Sequence, residues 1–165
     1  MSYRTLIASM LLPLGLLGCA ATPTRVPSGA DLADDEEAAI LATIDRFFEA
    51  MAARDVATFA ELQTNDGMTY AQAMREGEWR LLRRTNQEMI EKIAGGSDSV
   101  AETYWHPTVL IRGPIAVVWA PYQFRVNGAV AHCGVDVINM LKVEGKWVIG
   151  NAMWTLEPGA CDQLR

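Results

Sequence analysis

The stretch Ile115–Leu156, IAVVWAPYQFRVNGAVAHCGVDVINMLKVEGKWVIGNAMWTL, decides the fold. Three long runs rich in Val, Ile, Trp, Tyr and Phe (Ile115–Val126, Ala129–Val143 and Lys146–Leu156) are separated only by Asn127-Gly128 and Glu144-Gly145. Such dipeptides adopt the left-handed backbone that a tight hairpin demands, so the runs read as an antiparallel meander. A further β-rich run, Ala101–Arg112, leads into it through Gly113-Pro114. Two-residue loops set the register, and the register sorts side chains onto two faces. With unbroken alternation, one face holds Val109, Ile111, Ala116, Val118, Ala120, Tyr122, Phe124, Cys133, Val135, Val137, Asn139, Leu141, Val148, Gly150, Ala152, Trp154 and Leu156. This nearly apolar face is expected to receive the helices. The other mixes His106, Thr108, Trp119, Gln123, Arg125, His132, Asp136, Asn151 and Thr155 with Ile115, Val117, Ile138 and Met140, and is too apolar to stand open to water.

Upstream the period changes to 3.6. Ile40, Ile44, Phe47, Phe48 and Met51 share one helical stripe, with acids Asp34–Glu37 at the positive end of the helix dipole and Asp35 as the expected N-cap. This helix is expected to run from Glu36 to near Ala53. Asp55 caps a short second helix to Leu62. Met68–Ala73 and Glu78–Arg83 read as short strands joined by Met74–Gly77, with helix the competing reading for the second. Thr85-Asn86-Gln87-Glu88 has capping-box spacing and opens a third helix, closed by Gly95-Gly96.

Residues 1–18, MSYRTLIASMLLPLGLLG, carry one basic residue, Arg4, ahead of an apolar run that is too short to span a bilayer. The segment has the shape of a signal peptide, and Leu16-Leu17-Gly18-Cys19 resembles the lipobox of bacterial lipoproteins. That resemblance implies lipidation of Cys19. With Ala20 rather than Asp following, it also implies the periplasmic face of the outer membrane. Residues 19–35 are then the lipidated Cys and a flexible tether, rich in Pro, Gly, Ser, Thr and Asp. Residues 36–158 form the single domain and 159–165 a C-terminal tail. The chain has 165 residues, with 14 Lys and Arg against 20 Asp and Glu, and its net charge of −6 argues against nucleic acid as a partner. Of the three cysteines, Cys19 goes to lipid. Cys133 and Cys161 are left to pair as a disulfide in an oxidising compartment, or to stay apart with Cys133 as a small core residue.

The order of helix, helix, hairpin, helix and long meander, with the WAPY, HCGVD and GKW landmarks, resembles the nuclear-transport-factor-2-like superfamily, near its SnoaL-like and lumazine-binding-like bacterial branch. The resemblance covers residues 36–158. It implies an α+β fold in which a cone-shaped, curved antiparallel sheet wraps an N-terminal helix, the cystatin-like α+β roll, and leaves a conical pocket. Within that superfamily, ketosteroid isomerase uses an Asp base with an oxyanion hole of Tyr and protonated Asp. Laid on it, Asn139 falls at the oxyanion Asp and Phe47, which has no donor, at the Tyr. No carboxylate lies near Thr69-Tyr70. That activity is not expected.

The candidate pocket residues are Asn139, Tyr122, Trp154 and Phe47. Asn139 is read as an orienting amide or as a buried Asn bonded to backbone; Tyr122 and Trp154 as pocket wall or plain core. His132 and Asp136, four residues and so two strand periods apart on one face, form a potential base and orienter but fall on the face away from the pocket. Arg80, Arg83 and Arg84 are read as solvated charge, or as cations greeting an anion at the cone mouth. No spacing suits a metal, no phosphate loop exists, and no cofactor is expected. The leading expectation is non-catalytic binding of a small apolar ligand or a protein partner by a lipid-anchored homodimer. The alternatives are a cofactor-free cyclase, dehydratase or isomerase, with His132 or Asp136 as base if the register is off by one, and a structural dimerisation module.

Overall fold

The computed structural model describes residues 29–165, so the signal-like segment, Cys19 and the first part of the tether lie outside the described residues. Helix α1 spans Gly29–Ala53 and α2 Val56–Glu61; strands β1 (Met68–Arg75) and β2 (Glu78–Thr85) form a hairpin before α3 (Asn86–Gly95). Strands β3 (Val100–Tyr104), β4 (Thr108–Arg112), β5 (Ile115–Val126), β6 (Ala129–Val143) and β7 (Lys146–Leu156) complete one curved, unclosed sheet. Its order is β2-β1-β7-β6-β5-β3, with β4 pairing the first half of β5. All pairs are antiparallel except β1 with β7.

The helical stripe behaves as its period requires: Ile40, Ile44, Phe48 and Met51 are buried against the sheet. Each such burial contributes about 1.5–3 kcal/mol. Two polar links fix the helix in place. Glu36 accepts hydrogen bonds from Lys142 (2.5 Å) and Trp147 Nε1 (2.7 Å), and Tyr104 donates to Asp45 (2.7 Å). Asp55 caps α2, and Thr85 with Glu88 forms the reciprocal capping box on α3. No helix among the described residues is long and apolar enough to cross a membrane.

Three expectations change. Helix α1 begins at Gly29, so residues 29–35, read as tether, are helical, and Asp35 lies within the helix instead of capping it. From Ala30 onward this segment has no Gly, Pro or β-branched residue to stop a helix. The run Ala101–Arg112 is two strands, broken where His106 takes a φ of 48°.

The third change decides the site. The β5–β6 hairpin begins as expected, with Val126 opposite Ala129 and Arg125 opposite Val130, but Phe124 then faces His132. Ala131 is an extra, exposed residue in a β-bulge, and beyond it every β6 side chain changes face. His132, Gly134, Asp136, Ile138 and Met140 therefore point inward, and Cys133, Val135, Val137, Asn139 and Leu141 outward. A second irregularity on β7 leaves Gly150 unpaired between Ile149, opposite Met140, and Asn151, opposite Asn139. The two shifts cancel, so Ala152, Trp154 and Leu156 face inward as expected, while Trp147 and Ile149 replace Val148 and Gly150 in the core.

Candidate functional site: a cone with an acid pair and a neutral histidine

Between the concave sheet and the three helices lies a cavity of about 310 Å³. That is at the small end of the ~300–1,000 Å³ typical of ligand pockets. The register lays its floor in rows. One runs Arg84, Thr69, Ala152, Ile138, Val118 across β2, β1, β7, β6 and β5; the next runs Leu82, Ala71, Trp154, Asp136, Ala120. Further along, Tyr122 lies opposite Gly134, then Glu102, Phe124 and His132 lie side by side. Helices close the space with Phe47, stacked on Phe59 at 4.4 Å, and with Met51, Met89 and Ile93.

Of the residues expected in the pocket, Tyr122, Trp154 and Phe47 line it. Asn139 does not. The Ala131 bulge turns it to the outer face, where its Nδ2 donates to Asn151 Oδ1 at 2.5 Å, so its alignment with an oxyanion-hole Asp fails. His132 and Asp136, expected outside, line the cavity instead. Glu102, which no sequence motif marks, also lines the cavity. Its one available signal was the strand period, which puts it beside Phe124 on β5.

Asp136 is buried and meets Glu102 across the cone. Loss of hydration disfavours the charged form of both carboxyls. Asp136 is pushed up to about 7, its rise partly offset by the hydrogen bond to Glu102. Glu102 rises well above the ordinary range, first through burial and then through the Asp136 charge and hydrogen bond. The pair titrates as a unit, and burial favours keeping one of the two carboxyls protonated as pH rises toward neutral. Asp136 Oδ2 finds no donor among the described residues.

The tautomer of His132 follows from Tyr122. The Tyr122 hydroxyl donates its single proton to the Thr155 carbonyl at 2.7 Å, so toward His132 Nδ1, 3.1 Å away, it acts as acceptor. Nδ1 therefore carries the hydrogen and Nε2 is the lone-pair nitrogen. Burial holds the His132 pKa below its usual value, which keeps the ring neutral, and it stacks on Phe124 at 5.1 Å. Burial, followed by the nearby carboxyls, drives the Tyr122 pKa far upward, so its phenol stays protonated. Gly134 makes this contact feasible: a Cβ there would stand 2.0 Å from the Thr155 carbonyl oxygen.

Outside the cone, Cys133 and Cys161 are joined by a disulfide. The bridge pins the tail to β6 next to His132, and Trp105 Nε1 adds a hydrogen bond to the Leu164 carbonyl at 2.7 Å.

No family model matches the chain, and no curated protein matches it. Solved structures do. A protein of unknown function from Mycobacterium tuberculosis superposes with a TM-score of 0.66 at 15% identity, covering 79% of this chain and 76% of that one. An NTF2-like protein from Cytophaga hutchinsonii superposes with a TM-score of 0.62 at 15% identity, covering 73% and 98%. The fold is NTF2-like. A further structure, from Streptomyces avermitilis and described as a candidate dehydratase of the NTF2-like family, gives a TM-score of 0.59 at 16% identity over 75% and 97%. At such identities the likeness extends to the NTF2-like cone and no further; its chemistry has to be argued from its own residues.

Proposed function

We propose that this chain is a cofactor-free proton-transfer enzyme of the dehydratase, cyclase or isomerase kind, acting on a small apolar substrate inside the cone. One observation carries the reading: a single apolar cavity brings together His132, the buried Asp136 and the half-buried Glu102, with burial favouring the neutral form of all three. A base and an acid whose environments push their pKa values in opposite directions are the equipment of general acid–base catalysis. His132 Nε2 would take a proton from carbon beside an electron-withdrawing group. The Asp136–Glu102 pair would give its proton to the departing or enolising oxygen. In an elimination, the C–H and C–O bonds break, the C=C bond forms and water leaves. Tyr122 positions His132 and fixes its tautomer.

The test is solvent deuterium incorporation into, or water loss from, a panel of small β-hydroxy carbonyl compounds, followed by mass spectrometry. Wild type is expected to turn over at least one of them. Asp136→Asn and His132→Gln are each expected to lower the rate by about 10²–10⁴-fold. Binding without exchange across the panel would favour the binding-only reading. One feature supports that second reading: the Tyr122 hydroxyl is already spent on Thr155 and His132.

The same proposal places the domain on the periplasmic face of the outer membrane, tethered by lipid on Cys19. The lipobox-like Leu16–Cys19 supports this, and the Cys133–Cys161 bridge suits an oxidising compartment. A second copy would cover the outer sheet face, where Leu110, Ile115, Trp119 and Met153 are exposed. Mass spectrometry of the native protein is expected to show a diacylated N-terminal Cys19 and a dimer. An unmodified Cys19 would end the tether.

A further inference from the structure

The end of the cavity opposite the acid pair is cationic. Arg84, half-buried on β2, and Lys92 on α3 both line it. Neither has a carboxylate within ion-pair distance among the described residues. The nearby acids are engaged elsewhere: Glu88 caps Thr85 N at 2.7 Å, and Glu91 accepts from Gln87 at 3.0 Å. Burial, with Arg84 as a like charge nearby, already holds the Lys92 pKa below its usual value. Half-buried Arg84 and the more exposed Lys92 bring two positive charges to one end of the cavity with no counter-charge among the described residues, so an anion entering there gains from both. Asn86 adds a third feature. It is fully buried and lines the same end; its Nδ2 is bonded to the Thr64 carbonyl, while its Oδ1 has no donor among the described residues.

We infer that the cavity takes a small apolar carboxylic acid, its carboxylate held by Arg84 and Lys92 and its apolar body lying across Ala71, Ala152 and Trp154 toward Asp136. Asn86 Oδ1 accepts from a hydroxyl of that ligand or from the water that accompanies its carboxylate. The span fits. Arg84 and Asp136 sit three strands apart, roughly 14 Å along the sheet at about 4.8 Å per strand and less across its concave side. A guanidinium forks onto a carboxylate through two parallel hydrogen bonds, and one buried monoanion matches this pair better than a phosphate dianion that must shed more water. Arg80 and Arg83 take no part: Arg80 pairs with Glu78 at 2.7 Å, and Arg83 is exposed on the other face of β2. This inference rests on the cavity of the proposed function and identifies the substrate class that it admits.

Isothermal titration with 2-naphthoate, its neutral isostere 2-naphthamide and 2-naphthyl phosphate tests it without requiring turnover. Wild type is expected to bind 2-naphthoate at least tenfold more tightly than the amide, and more tightly than the phosphate. In Arg84→Met the preference for naphthoate over the amide should shrink to within twofold while amide affinity holds, and Lys92→Met should lose part of it. Equal binding of acid and amide, a preference that survives Arg84→Met, or tighter binding of the phosphate would each overturn the carboxylate assignment, and all three leave the cavity reading standing. Failure of all three probes to bind would overturn both.

Discussion

Asp136→Asn is expected to flatten the dependence of stability on pH. Burial lifts the Asp136 carboxyl to about 7, so between roughly pH 4 and 7 the folded chain holds a proton that the unfolded chain has released. More protons on the folded state means that stability falls as pH rises through this window. Glu102, raised beside it, extends the loss to higher pH. His132 works in the opposite sense: its lowered pKa costs stability as pH falls below about 6.5. That contribution is common to wild type and variant, so their difference isolates the acid pair. In the variant no second carboxylate forms, and the new amide can donate to Glu102. Wild type should lose on the order of 3 kcal/mol between pH 5 and 8 relative to Asp136→Asn. Urea unfolding at the two pH values measures it. Parallel profiles for the two proteins would mean that Asp136 is solvated.

Removing the disulfide should have an effect of similar size. Cys133 and Cys161 close a loop of 28 residues, and the lost chain entropy of the unfolded state corresponds to about 3–4 kcal/mol. For a domain of this size the double variant Cys133→Ala, Cys161→Ala should melt about 10 °C lower. Part of the loss reflects the tail itself, since the Trp105–Leu164 hydrogen bond depends on a tail held against β6. Thermal unfolding of the double variant against the oxidised parent checks this, and a difference below about 1 kcal/mol would show that the tail is held by other contacts.

Most of the fold was legible because each element carries a local signal. The i, i+4 stripe of Ile40, Ile44 and Phe48, the Thr85–Glu88 capping box and the Asn127-Gly128 turn sit where they were expected. The face of β6 was not legible. Its Cys133, Val135, Val137 and Leu141 set is more apolar than its His132, Asp136, Ile138 and Met140 set, so alternation alone argued for the wrong face. The half-buried state of Val135 and Val137 on the outer face shows why: that face is partly covered too. Ala131 carries nothing to mark a bulge, whereas Gly150, an isolated glycine within a strand, is a recognisable signal for the second one. A single extra residue thus exchanged Asn139 for His132 and Asp136 in the cavity. Glu102 was missed because its significance is non-local: only the curvature of the sheet brings β3 and β6 close enough for two carboxyls to meet.

The inward turn of β6 and the acid pair it creates are tested most directly by carboxyl ¹³C NMR titration of Asp136. An inward Asp136 facing Glu102 titrates near 7, in coupled steps with its partner. A single transition near 4, the ordinary value for a solvated aspartate, would put Asp136 outside the cone and contradict the site built around it.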